Sequence, residues 1–138
     1  MKTKSYLTLD DCKKIAAASE AEAIKNNWAV CIAIVDDGGH LLWFQRLDKC
    51  AQASAAIAIG KATSSAMRRR PTKMDEDLIA NGRIAALSMP GVLFLEGGVP
   101  IVVDGEIIGA VGVSGVKSSD DAAIAQAGID TLLNALLK

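Results

Sequence analysis

An unbroken apolar run, Ala29 to Val35, stops at Asp36-Asp37-Gly38-Gly39, and an alternating run, Leu41 to Leu47, begins directly after His40. Two acids and two glycines between apolar runs of strand length are the pattern of a β-hairpin. Trp28 to Val35 is apolar at every position, which suits a central strand covered on both faces, with Leu41 to Leu47 as its hairpin partner. The turn also sets the only histidine of the chain beside a tight bend. An imidazole there can serve as a metal or haem ligand, as an acid or base, or simply as a polar residue at a strand start.

The remaining elements follow from periodicity. Thr8 with Asp11 reads as an N-cap, and Leu9, Cys12, Ile15, Ala16, Ser19 and Ala23 recur at helical spacing, predicting a helix over 9–26. Ala51 to Met67 is an alanine-rich helix whose face of Ala51, Ser54, Ala55, Ala58, Ala62 and Ser65 packs closely on the chain's own sheet or on another subunit. Pro71 ends it behind Arg68-Arg69-Arg70, a cationic cluster of the kind found at solvated helix ends. A shorter helix follows through Ala86. Val92-Leu93-Phe94-Leu95, Val99 to Val103 and Glu106 to Ser114, separated by Glu96-Gly97-Gly98 and Asp104-Gly105, describe a three-stranded antiparallel meander. Ser118-Ser119-Asp120-Asp121 then caps a C-terminal helix with Ala122, Ala125, Ile129, Leu132, Leu133 and Leu136 inward. The order α-β-β-α-α-β-β-β-α predicts an α/β fold with one five-stranded, mostly antiparallel sheet packed with helices, profilin-like or PAS-like, the first and last strands in the middle.

Composition narrows the function classes. With 138 residues, 51% of them hydrophobic, the chain suits a single domain spanning 1–138 with a sizeable core. A net charge of -1 provides no basic field for nucleic acid. No apolar run reaches the roughly 20 residues of a membrane span, and the start has no hydrophobic signal segment, so a cytoplasmic protein is expected. Cys12, Cys31 and Cys50 are widely spaced, with no CxxC, and read as reduced, mostly buried thiols. Nucleophile-elbow, P-loop and dinucleotide fingerprints are all missing.

Several residues carry candidate chemistry. Arg46 and Asp48, two apart on the second strand, leave one sheet face, either as a structural ion pair or with Arg46 holding a carboxylate in a bidentate fork. Lys61 is the only lysine of the alanine-rich helix and is either partly desolvated or on a solvated face. Glu96-Gly97-Gly98 sets an acid beside backbone that a ligand can approach closely, although a hairpin turn asks for the same glycines. Gly109, Gly112 and Gly115, within or beside a strand, mark close approach by a helix, another chain or a ligand. Ser114 and the amides from Gly115 to Ser119 form either an anion site or a plain helix cap.

Taken together, Val35 to Leu42, Arg46-Leu47-Asp48, Ala58 to Ala62, Gly97 to Ile101, Gly109 to Gly115 and Asp120-Asp121 resemble the GlcG/HbpS-like family of haem-binding or haem-degrading proteins. That family also supplies the C-terminal domain of PduO-type corrinoid adenosyltransferases. The resemblance spans nearly the whole chain. It implies a profilin-like sandwich, assembly into dimers or larger homo-oligomers, and haem or corrinoid association in some members. Haem-holding members often carry a second ligand or a histidine near the N-terminus; here the possible ligands are His40, three thiols and four methionines.

Two readings follow. In the first, the protein is a homo-oligomeric binder of haem or a related tetrapyrrole, with His40 as axial ligand and Arg46 or Arg68-Arg69-Arg70 near the propionates. In the second, it is a cofactor-free enzyme on a small carboxylated metabolite, with Arg46 or Lys61 holding the anion, His40 or Glu96 moving protons, and Gly97, Gly98 and Ser114 lining the site. A non-catalytic assembly module is a third, resting on the alanine-rich helix alone. The first two need His40 and Arg46 to project into a shared cavity.

Overall fold

The computed structural model describes residues 1–137. Nine elements follow one another: α1 (Leu9–Lys25), β1 (Cys31–Asp36), β2 (Leu41–Arg46), α2 (Ala53–Arg68), α3 (Thr72–Ala80), a 3-10 helix (Ile84–Ser88), β3 (Gly98–Val103), β4 (Glu106–Ser114) and α4 (Ser118–Leu136). The four strands form one sheet in the order β2-β1-β4-β3, every neighbouring pair antiparallel. As the apolar runs demand, β1 and β4 are central.

Side-chain size alternates along the central strands and so makes the two faces unlike. Ile32, Ile34, Val111 and Val113 join Ile15 of α1 and Ile124 and Ile129 of α4 in one core, where each fully buried isoleucine contributes about 2 to 3 kcal/mol. Cys31, Ala33, Val35 and Ala110 face the other way, against Ala58, Ala62 and Ala66 of α2. That layer is thin. A Cβ at Gly112 would collide with the Ala58 carbonyl oxygen and the Ala62 nitrogen, so β4 and α2 approach at backbone distance only because this residue has no side chain. The small-residue face of α2 thus covers the chain's own sheet.

Turn and cap chemistry behave as the residue types dictate. Thr8 and Asp11 form a reciprocal capping box at the start of α1. The β1–β2 turn is held by Asp36 Oδ1, which accepts from the amides of Gly38 and His40, with Gly39 at φ +83°. Asp104 (φ +51°) and Gly105 (φ +78°) make the two-residue β3–β4 hairpin with both central residues left-handed.

Three expectations need correction. The sheet has four strands, not five: Val92 to Leu95 has no strand pairing, and the amide of Leu93 donates to Ser64 Oγ on α2 instead. The helix expected through Ala86 stops at Ala80 and a separate 3-10 helix follows. Lys117, not Ser118, is the N-cap of α4 and makes no side-chain capping bond, and Asp121 turns inward. Among the described residues no helix is long and apolar enough to cross a membrane.

Candidate functional site

At one end of the sheet lie the two hairpin turns, because β1 and β4 run antiparallel with Asp36 opposite Gly109. His40 is exposed there. Behind its turn stands the C-terminal end of α2: a Cβ on Gly39 would lie 3.1 Å from Thr63 Cγ2 and 3.5 Å from Met67 Sδ, and Met67 itself is 60% exposed. Asp37 of the same turn accepts an ion pair from Lys4 Nζ at 2.6 Å. That contact, with the nearby charge of Arg69, holds the Asp37 carboxyl below the usual carboxylate range. Lys4 and Arg69 also line a small hollow of ≈250 Å³ with Gly105, Glu106 and Ile107. An imidazole, a thioether and two cations therefore share this end.

Arg46 is at the other end. It pairs with Cys31 at the far limit of β2 and is exposed; it stands six positions along the strand from His40, about 20 Å at the usual rise. The shared cavity expected of these two groups is not formed. Asp48 lies beyond the end of β2, in a turn, so the two-residue alternation that was to align it with Arg46 does not apply. Nor is the arginine cluster a freely solvated helix end. Arg68 makes a two-pronged contact with Asp75 at 3.1 and 3.2 Å, Arg70 approaches the same fully buried carboxylate at 3.8 Å, and Arg69 lines the hollow beside Lys4.

Lys61 is 2% exposed, not on a solvated helix face. Its ammonium donates to the Val113 carbonyl at 2.9 Å and to Asp121 Oδ2 at 3.1 Å, tying α2 to β4 and α4. Asp121 Oδ1 accepts the amide of Val116 at 3.1 Å. The anion site read from Ser114 to Ser119 thus already holds an anion, the chain's own carboxylate. Burial pushes the Asp121 carboxyl above its ordinary value, while Lys61 and the Val116 amide pull against that rise. Ser114 is buried and contributes its backbone to the β1–β4 ladder opposite Cys31.

Gly97 and Gly98 cover this pair. A Cβ on Gly97 would stand 2.7 Å from Lys61 Nζ, and one on Gly98 would meet the Lys61 carbonyl, so the glycines are required by internal packing as well as by any ligand. Thr72 Oγ1 accepts the Gly98 amide at 2.9 Å. On the outer side, Glu96, Gly97 and Gly98 line a hollow of ≈340 Å³ with Pro71, Lys73, Val99 and the first turns of α4. The structure brings Glu96, Gly97 and Gly98 together, sets Lys61 behind them, and leaves His40 and Arg46 apart.

Lys4, Thr72 and Asp75 were not singled out from the sequence, Met67 entered as a candidate only as one of four methionines, and Asp121 only as part of a helix cap and a family motif. Asp121 was hidden by its neighbours, since Ser-Ser-Asp-Asp before an apolar helix is a complete cap by itself. Asp75 had a faint signal, an acid seven residues after Arg68 across a proline. Among the described residues no group of three or more His, Cys, Asp or Glu side chains gathers as a metal site.

Comparison with known proteins agrees with this architecture. GlcG of Escherichia coli strain K12 is 54% identical over 114 residues, 83% of this chain and 85% of that protein. A solved double mutant of HbpS from Streptomyces reticuli superposes with a TM-score of 0.86 at 32% identity, covering 96% of this chain and 90% of that one. The crystal structure of a PduOC–haem complex superposes with a TM-score of 0.83 at 25% identity, covering 92% and 95%. The family model described as haem degrading protein HbpS-like matches residues 7–130, and the chain belongs to that HbpS-like family.

Proposed function

We propose that the protein binds haem or a related tetrapyrrole at the hairpin end of the sheet, with His40 as the iron ligand. The observation that carries this reading is the company of His40: its turn packs on exposed Met67, and Asp37 in the same turn gathers Lys4 and Arg69. Imidazole and thioether are haem-iron ligands, and cations match the two propionates. Family membership and the haem complex of PduOC support the ligand class. The donor set fits the group, but the surface is open, and a macrocycle needs apolar cover on both faces. In this reading a second copy of the chain supplies that cover, and Leu41 and Leu42, 49% and 37% exposed directly after His40, are the apolar surface it meets. The chain then works as a homo-oligomer of a single domain, 1–138, with its three free thiols suited to a reducing cytoplasm.

Titration of the purified protein with haemin tests this. The expected result is a saturable Soret shift whose affinity falls at least about tenfold, 1.4 kcal/mol, in His40→Ala. A wild-type spectrum equal to free haemin, or an unchanged affinity in the variant, overturns the assignment.

One observation favours a second reading, a cofactor-free acid/base enzyme on a small carboxylated metabolite: Glu96 and Lys73 line the same ≈340 Å³ hollow. In that case Lys73, not Arg46 or Lys61, holds the anion and Glu96 moves the proton. Turnover by protein free of haem, lost in a folded Glu96→Gln variant, is its signature; activity surviving that substitution removes it.

A further inference from the structure

The start of β1 and the loop before α2 bring two thiols into contact. Cys31 Sγ and Cys50 Sγ are 3.6 Å apart, although the residues are 19 positions apart in sequence. Their surroundings differ. Cys31 is fully buried between the sheet and α2, whereas Cys50 is half-buried in an irregular loop. Cys12 belongs to the core on the opposite face of the sheet, so it takes no part.

We propose that Cys50 and Cys31 form a peroxide-responsive thiol pair that closes to a disulfide. Cys50, the accessible member, attacks one oxygen of a hydroperoxide as its thiolate. The O–O bond breaks, Cys50 becomes a sulfenic acid, and the departing oxyanion takes a proton from water. The Cys31 sulfur then attacks the sulfenic sulfur. The S–S bond forms, the S–O bond breaks, and the leaving hydroxide carries off the Cys31 proton as water. Two thiols and one hydroperoxide become one disulfide, one alcohol (or water) and one water, with two electrons passing from sulfur to peroxide oxygen.

The geometry permits the second step. Closing from 3.6 Å to the roughly 2.05 Å of a disulfide needs movement on one side only, and Cys50 sits outside any helix or strand. Burial pushes the Cys31 thiol up to about 12 and Cys12 up to about 11, which leaves neither as first nucleophile at neutral pH. The cross-link would also have a mechanical consequence. Leu47, Asp48 and Lys49 form one wall of a hollow of ≈540 Å³ between that loop and the end of α1. Pinning Cys50 to β1 would stiffen the wall.

The experiment treats the purified full-length protein with hydrogen peroxide and counts thiols after denaturation. Expected are a fall from three titratable thiols to one, a mass loss of about 2 Da, a Cys31–Cys50 linked peptide on digestion, and full reversal by dithiothreitol. Cys31→Ser should stop at a dimedone-reactive Cys50, and Cys12→Ser should behave as wild type. Wild-type mapping alone decides the matter if the buried variant fails to fold. Overoxidation of Cys50 without the linked peptide, or three thiols surviving peroxide that oxidises the unfolded chain, overturns the proposal.

Discussion

From its neighbours alone a lysine bordered by alanines is either partly desolvated or solvent-facing, and Lys61, buried between α2, β4 and α4, is the former. Two of the three donors of its ammonium reach internal partners, the Val113 carbonyl and Asp121, so burial is compensated and not exploited. Removing one charge of such a pair leaves the other stranded. Lys61→Met should therefore cost about 3 to 5 kcal/mol, read as a fall in the denaturant midpoint. Adding Asp121→Asn keeps an oxygen for the Val116 amide and removes the stranded charge, so the double variant should regain most of that loss. A double variant no more stable than the single would mean that packing, not charge, holds this junction. The residue types Lys61 and Asp121 were plain in the sequence. Their meeting was not, because 60 positions separate them.

At the scale of elements, the contact between α2 and β4 sets Gly112 apart from Gly60. Gly112 faces helix backbone, which cannot give way, and Gly112→Ala should destabilise by about 3 kcal/mol or more. Gly60 faces the end of the Leu93 side chain at 3.1 Å, which can move. Alanine in its place gains up to about 1 kcal/mol of helix propensity, offsetting the tighter contact, so Gly60→Ala should shift the melting temperature little. Thermal unfolding of the two variants side by side checks the contrast; equal losses would show that helix α2 is not the rigid partner. The same packing explains the absent strand. Val92 to Leu95 has strand composition, but the outer edge of β3 carries Pro100, which has no amide to offer, and Ser64 takes the Leu93 amide first. Composition reports extended backbone; it does not report which partner the amides find.

For the whole molecule the decisive fact is that the sheet has two chemically different ends, with His40, Met67, Lys4 and Arg69 at one and Arg46, Cys31 and Cys50 at the other. The open surface around His40 leads to an expectation for assembly. Sedimentation should give at least twice the 14.4 kDa of one chain, and Leu41→Glu with Leu42→Glu should reduce both the mass and haemin affinity; a monomer that binds haemin as tightly would remove the second copy from the site. Much of this architecture was legible beforehand. Local periodicity and turn chemistry act over a few residues, so α1, α2 and α4, both hairpins, the central placing of β1 and β4 and the family motifs could be read from short stretches of chain, whereas the end of α3 could not. Distance across the fold is another matter. That Asp121 takes the Val116 amide at the start of α4 while pairing with Lys61, and that Cys31 touches Cys50, emerges only in three dimensions, because each depends on how far-separated segments pack, and packing is a property of the closed core and not of any short stretch of chain.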